Sequence, residues 1–113
     1  MGYELHITRK NRWSAEGSDI PDGDWRAYVA SDPEMSMSGV AEAALPDGTV
    51  LRYDSALMAE WRVHPDGGIV WFDFRRGQIV VKNPDEQTIA KMRRIAAALH
   101  GRVQGDEGQF YDG

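Results

Sequence analysis

The sequence predicts an α+β domain: a mostly antiparallel sheet with two helices packed on one of its faces. Three observations carry this. Short runs alternate apolar and polar residues with period two, turn signals separate them at close spacing, and two segments carry apolar residues at helical spacing. Strands gathered between helices, with no regular βα alternation, argue α+β, and the expected element order is β-α-β-β-β-β-α-β.

Residues 3–8 open the chain as a strand, with Tyr3, Leu5 and Ile7 on one face and Glu4, His6 and Thr8 on the other. Residues 9–20 lack a sustained pattern and carry Asn11, Ser14, Gly17, Ser18 and Asp19, so they read as a loop, with Trp13 inside it. A helix is expected over about 22–31, capped by Asp22, with Trp25, Tyr28 and Val29 on its buried stripe and Ile20 packing back on its first turn. Pro33 ends it, because a residue before proline is pushed out of the helical region.

Strands follow at 37–45, 49–53, 57–63, 69–74 and 78–82. The turns are Pro46-Asp47-Gly48, Pro65-Asp66-Gly67-Gly68 and Arg76-Gly77, and hairpin links of this kind predict a four-stranded meander. Asn83-Pro84-Asp85-Glu86 reads as a helix start, with Asn83 as cap, Pro84 in the first position and Glu86 closing a capping box. The helix runs to about His100 and buries Ile89, Met92, Ile95, Ala96 and Leu99, with Gln87, Lys91, Arg93 and Arg94 outside and Gly101 as C-cap. Val103 starts a last short strand. Residues 104–113 are polar and Gly-rich, a tail expected to be loose or to dock through Phe110-Tyr111.

At 113 residues the chain fits one domain spanning 1–113, whose folded surface should be ~6,200 Å². Having no cysteine, it forms no disulfide and no thiolate metal site. The beginning lacks a signal-peptide core, and no apolar run is long enough to span a membrane, so a cytoplasmic protein is expected. The formal net charge is −5, with 18 acidic against 13 basic residues. Basic doublets occur only at Arg9-Lys10, Arg75-Arg76 and Arg93-Arg94, which disfavours nucleic acid; the acidic balance suits solubility or a basic protein partner.

A search for reacting groups finds no motif. His6, His64 and His100 have no mutual metal-ligand spacing, and His100 suits a helix C-terminus. Asp19, Asp22 and Asp24 lack the ligand pattern of a calcium loop, since Pro21 and Ala30 stand where oxygens are needed. No serine lies in a nucleophile motif, and no glycine pattern suits a nucleotide. No cofactor and no metal is therefore expected, and the chain is expected not to be an enzyme. The aromatic residues offer more. Trp25 and Trp61 fall on core faces, whereas Trp71 points away from Phe72 and Phe74. It lies in line with Asp73 and beside Glu60 and Arg62, a tryptophan ringed by mixed charge as in an interface hot spot. A loop folded over that face would bury it instead. The acidic tail, Asp106, Glu107 and Asp112, is the second candidate contact.

Tyr3-Glu4-Leu5-His6-Ile7-Thr8-Arg9, the segment Trp25 to Glu34, Val81-Lys82-Asn83-Pro84-Asp85-Glu86 and Val103-Gln104-Gly105-Asp106-Glu107-Gly108 together resemble a group of small uncharacterised bacterial proteins. These look similar to the orphan domains beside polymorphic toxins, Rhs-type and contact-dependent systems included. One departure is Pro21-Asp22-Gly23, where a Ser-containing cap is expected. The resemblance implies an immunity protein that neutralises a toxin by occluding its active site, with Trp71, Asp73, Glu60, Arg62, Asp106 and Glu107 as its contacts. Two rivals stand beside it: a small ligand-binding or enzymatic domain with a pocket under the 9–20 loop near Trp13, His6, Arg9 and Arg12, and a structural homodimer paired through edge strands or the open sheet face.

Overall fold

The structure is a computed structural model and describes residues 4–10, 12–15, 17, 19–54, 56–65 and 67–111. Tyr3, Asn11, Ser18, Asp66 and Asp112, assigned above to a strand, a loop, a turn and the tail, lie outside these residues. The fold is α+β. In chain order it comprises β1 (Glu4–Thr8), α1 (Asp22–Ser31), β2 (Met35–Met37), β3 (Val40–Ala44), β4 (Val50–Asp54), β5 (Met58–Trp61), β6 (Val70–Arg75), β7 (Gln78–Lys82), α2 (Glu86–Ala98) and β8 (Arg102–Gly105). Six strands form one antiparallel sheet in the order β2-β5-β6-β7-β1-β8, and β3 and β4 form a separate hairpin.

Two expectations about strands are corrected. The stretch read as one strand over 37–45 breaks at Ser38-Gly39, where Gly39 takes φ 72°, a left-handed conformation that a glycine adopts without steric cost. Its first part pairs with β5 as the sheet edge, and its second part leaves the sheet to pair with β4. Six strands therefore lie between the helices, against the five stretches and the four-strand order expected above, and only β5, β6 and β7 form a meander. The turn joining β6 and β7 has positive φ at both Arg76 and Gly77, the geometry whose twist suits a two-residue hairpin. At Gly77 a Cβ would lie 2.3 Å from the Asp19 Cβ, so glycine lets the loop before α1 close against this turn, where Ile20 N–H donates to the Gly77 carbonyl at 2.9 Å.

One sheet face carries the core. Leu5, Ile7, Ala59, Trp61, Phe72, Phe74, Ile79, Val81 and Val103 meet Trp25 and Val29 of α1 and Met92, Ile95, Ala96 and Leu99 of α2. Trp25 stacks on Phe74 at 6.1 Å and donates its indole N–H to the Leu57 carbonyl at 2.9 Å, so this buried donor is satisfied.

Both helix caps differ from expectation. Pro21, with no capping side chain, precedes α1, and Asp22 is already helical. At α2, Asn83 adopts φ 47°, outside the extended region a cap residue needs, so the capping role passes to Asp85, whose Oδ1 accepts from Thr88 N–H at 2.9 Å. At its end His100, not Gly101, holds the left-handed conformation (φ 58°). His100 N–H reaches the Ala97 carbonyl and Gly101 N–H the Ala96 carbonyl, which is a Schellman closure. Glycine at 101 answers a different need: a Cβ there would stand 3.0 Å from the Thr8 carbonyl oxygen of β1.

Lys91, expected outside α2, is buried. Its ammonium meets Asp32 Oδ2 at 2.6 Å and Glu34 Oε1 at 2.9 Å, and lies 6.0 Å from the Trp61 ring. Tyr28 donates to the same Asp32 carboxylate, and Trp61 Nε1 donates to Glu34 Oε1 at 3.2 Å. These paired charges link α1's exit to α2. Residues 105–111 fold back onto β8: Gly105 N–H donates to Gln109 and Tyr111 N–H to Val103, each at 2.8 Å. Tyr111 packs on the core, while Phe110 stays exposed beneath the Arg102 guanidinium.

The β3–β4 hairpin stands outside the main sheet and leaves Leu45, Val50 and Leu51 exposed, the last two at 57% and 55%. The total surface is 6696 Å².

Candidate functional site

The second face of the sheet holds the residues of interest. Cross-strand registers place Gln104, His6, Val80, Asp73 and Met58 side by side across five strands. All five are buried, so this row is covered, as expected if a loop folds over the face. Over β1 and β8 the cover is the loop after β1. Trp13 lies flat on the His6 imidazole, with ring centroids 4.0 Å apart and planes 5° apart, and donates its indole N–H to the Asp106 carbonyl at 3.2 Å. Its backbone N–H donates to Gln104 Oε1 at 2.6 Å, and its carbonyl accepts from Gln78 Nε2 at 3.2 Å. The described part of this loop is thus packed down where the rival reading places a pocket.

The cleft is at the opposite end of the face, where two strands part. β6 pairs with β7 only from Asp73↔Val80 to Arg75↔Gln78. Beyond that, β6 continues against β5 through Val70, and β7 continues against β1 through Lys82. In this fork lies an open cleft of about 520 Å³, lined by Val70, Trp71, Val81 and Lys82 and by His64, Pro84 and Asp85. That volume is within the range of small-molecule sites, ~300–1,000 Å³.

The predicted contact residues separate into two groups. Glu60 and Trp71 are direct cross-strand partners, and Asp73 lies two residues along β6 on the same face. Asp73 is 8% exposed and Trp71 is half-buried, so they form a cleft wall rather than an exposed patch. Arg62 lies past the end of β5 and pairs with Glu60 at 2.7 Å. The Trp71 indole nitrogen is the one buried side-chain polar atom without a hydrogen-bond partner among the described residues. Asp106 and Glu107 lie away from this group, beyond β8. Glu107 is exposed, whereas Asp106 is bound to β1: its Oδ2 accepts from Glu4 N–H and its Oδ1 faces His6 Nε2, each at 2.9 Å.

Several site residues were not singled out from the sequence. His64 has no metal-ligand spacing to the other histidines. It is buried, and its Nε2 meets Asp85 Oδ2 at 2.7 Å while packing edge-on to Trp61. The Thr88 N–H, joined by His64, holds the Asp85 carboxyl below its usual range. His6 is likewise buried, at 2% exposure, and engaged at both ring nitrogens. Burial pushes the Asp106 carboxyl up, but the bonds from Glu4 N–H and His6 outweigh it and hold the group low. Glu4 and His6 sit at alternate positions of one strand, a spacing legible in the sequence that puts both on one face.

Comparison with protein families, curated proteins and solved structures gives no match to this chain. No helix among the described residues is long and apolar enough to cross a membrane.

Proposed function

We propose that the chain is a non-catalytic protein-binding module, an immunity protein that holds a cognate bacterial toxin and occludes its active site. The observation that carries the reading is the β3–β4 hairpin. An isolated two-stranded hairpin is at best marginally stable in water. This one extends outside the six-stranded sheet with Leu45, Val50 and Leu51 exposed, and a partner's surface would complete its burial. The formal charge of −5 favours a basic partner through steering and rim complementarity. The sequence resemblance to domains beside polymorphic toxins supplies the toxin assignment.

The test is co-expression with the product of the neighbouring reading frame. A one-to-one complex on size exclusion and restored growth are expected, and Leu51→Asp should weaken the complex at least about tenfold. Absence of a complex together with unrelieved toxicity overturns the reading.

The forked-sheet cleft favours a second reading, a site for a small ligand. Its lining sets apolar Met58, Ile69, Val70 and Val80 beside charged Glu4, Asp73, Arg75 and Lys82, a mixture that suits a small polar ligand with an apolar part. Ligand-induced change in tryptophan fluorescence, lost in Trp71→Phe, supports it; a fragment screen by NMR with no shifts in the 70–85 amides removes it.

A further inference from the structure

Glu4, His6 and Asp106 bring one ligand atom each to within 4.8 Å of one another. The chemistry at His6 gives this cluster its meaning. Gln78 Nε2 donates to the Trp13 carbonyl, which is an acceptor only, and this fixes the Gln78 amide with Oε1 toward His6. His6 Nδ1, 2.8 Å from that oxygen, therefore carries a hydrogen. A neutral imidazole protonated at Nδ1 presents a lone pair at Nε2. That lone pair would face Asp106 Oδ1, a carboxylate oxygen, at 2.9 Å. Two lone pairs do not face each other at this distance without a positive centre between them. The centre is either a second ring proton or a metal ion.

Three features favour a metal. The ring is oriented as metal-bound histidines are, with its remote N–H donated to a fixed carbonyl oxygen. Trp13 covers one ring face and holds the imidazole in place. Glu4 adds a second carboxylate, which Arg75 Nη2 meets only loosely at 3.4 Å. We propose that Glu4, His6 and Asp106 form a site for a Zn²⁺-class divalent ion, which takes the position of the Nε2 proton. One imidazole with two carboxylates suits zinc better than the all-oxygen sets of magnesium and calcium. Three protein ligands leave a fourth position for water or another donor. Binding displaces the Nε2 proton to solvent and loosens Arg75 from Glu4. The site does not depend on the partner proposed above, and nothing in the hairpin contributes to it.

The experiment is calorimetric titration of the intact chain with zinc chloride, with Co²⁺ absorption as the spectroscopic readout. One saturable site is expected, with a Co²⁺ spectrum of low coordination number. Asp106→Asn and Glu4→Gln change solvent-accessible groups and keep the fold testable; each should weaken binding at least about tenfold, as should Gln78→Leu through the ring orientation. His100→Gly, far from the cluster, should leave binding unchanged. Two results overturn the proposal: wild-type affinity weaker than ~1 mM, or affinity undiminished in Asp106→Asn. Retention of both His6 ring protons by ¹⁵N NMR at saturating zinc also overturns it, since that outcome assigns the positive centre to the proton.

Discussion

Replacing Lys91 by methionine would remove a cation that two carboxylates share in the interior. Lys91 is 2% exposed, and the Asp32 side chain is 9% exposed. Truncating one partner of a buried ion pair costs ~3–5 kcal/mol, because the other charge is left unpaired. The Glu34 side chain is about a third open to water, which screens its share, so the lower end, about 3 kcal/mol, is expected. A chain of 113 residues holds ~6–17 kcal/mol in all, so Lys91→Met should still fold. Urea unfolding followed by tryptophan fluorescence should show a midpoint lowered by about 1.5 M, with m near ~2 kcal/mol/M.

The pH dependence gives the sharper check. Burial pushes the Asp32 carboxyl up, but the Lys91 and Tyr28 donors outweigh it and hold it low; Lys91, then Trp61, hold Glu34 low. The stability these groups contribute is complete above the unfolded carboxylate value of ~4 and fades as pH falls through their lower folded values. In Lys91→Met, Asp32 loses its cation but keeps the Tyr28 and Glu34 donors, so its folded value rises toward the unfolded one. The variant should then lose less stability than the wild type as pH falls through the carboxylate range around ~4. A loss below ~1 kcal/mol at neutral pH, or an acid trend as steep as the wild type's, would refute the buried-cation account.

Three further outcomes follow from the geometry. His100→Gly should stabilise the fold by ~0.5–1 kcal/mol, since His100 holds a left-handed φ of 58° that glycine adopts freely, whereas Gly101→Ala should destabilise it by ~1–3 kcal/mol by forcing a Cβ to 3.0 Å from the Thr8 carbonyl; paired thermal melts give both signs. Trp13→Ala should cost ~2 kcal/mol, below the range for a fully buried tryptophan, and hydrogen exchange should quicken first in residues 104–110, which Trp13 clamps through Gln104 and Asp106. Val50→Asp should change the melting free energy by less than ~0.5 kcal/mol, because the side chain is 57% exposed, and a larger loss by urea titration would place it in a packed interface of the monomer.

Local pattern foretold the elements that local pattern controls. Helix α1 spans Asp22–Ser31 as expected, because its stripe, its acidic first turn and Pro33 all act within a few residues. Strands β1, β6 and β7 follow their alternation, and three turns fall at their glycines. Pairing is different. Nothing in the alternation of 40–54 says that β3 and β4 leave the sheet, since register depends on partners far along the chain. Lys91 was placed outside because a lysine on a helix is normally solvated; its partners lie 59 and 57 residues away and leave no mark in the helix itself. Val80 and Met58 revealed too little for the same reason. They face the second side of the sheet, and its cover comes from other segments. Of the candidate contacts, the sequence placed Glu60, Trp71 and Asp73 on one face correctly. It had no means of showing that the face folds into a forked cleft, because the fork arises where two ladders of different length diverge.

Strand β1 is clasped between β7 and β8. His6 and Asp106, which touch across that clasp, are 100 residues apart. As the polypeptide leaves the ribosome, β1 emerges early and must wait for nearly everything else before either flank is covered. A chain cut short of Arg102 lacks β8 and leaves β1 as the sheet's edge, with one row of backbone groups unpaired. Pairing of β1 with β8 closes a long loop, and until it forms that edge is open to mispairing.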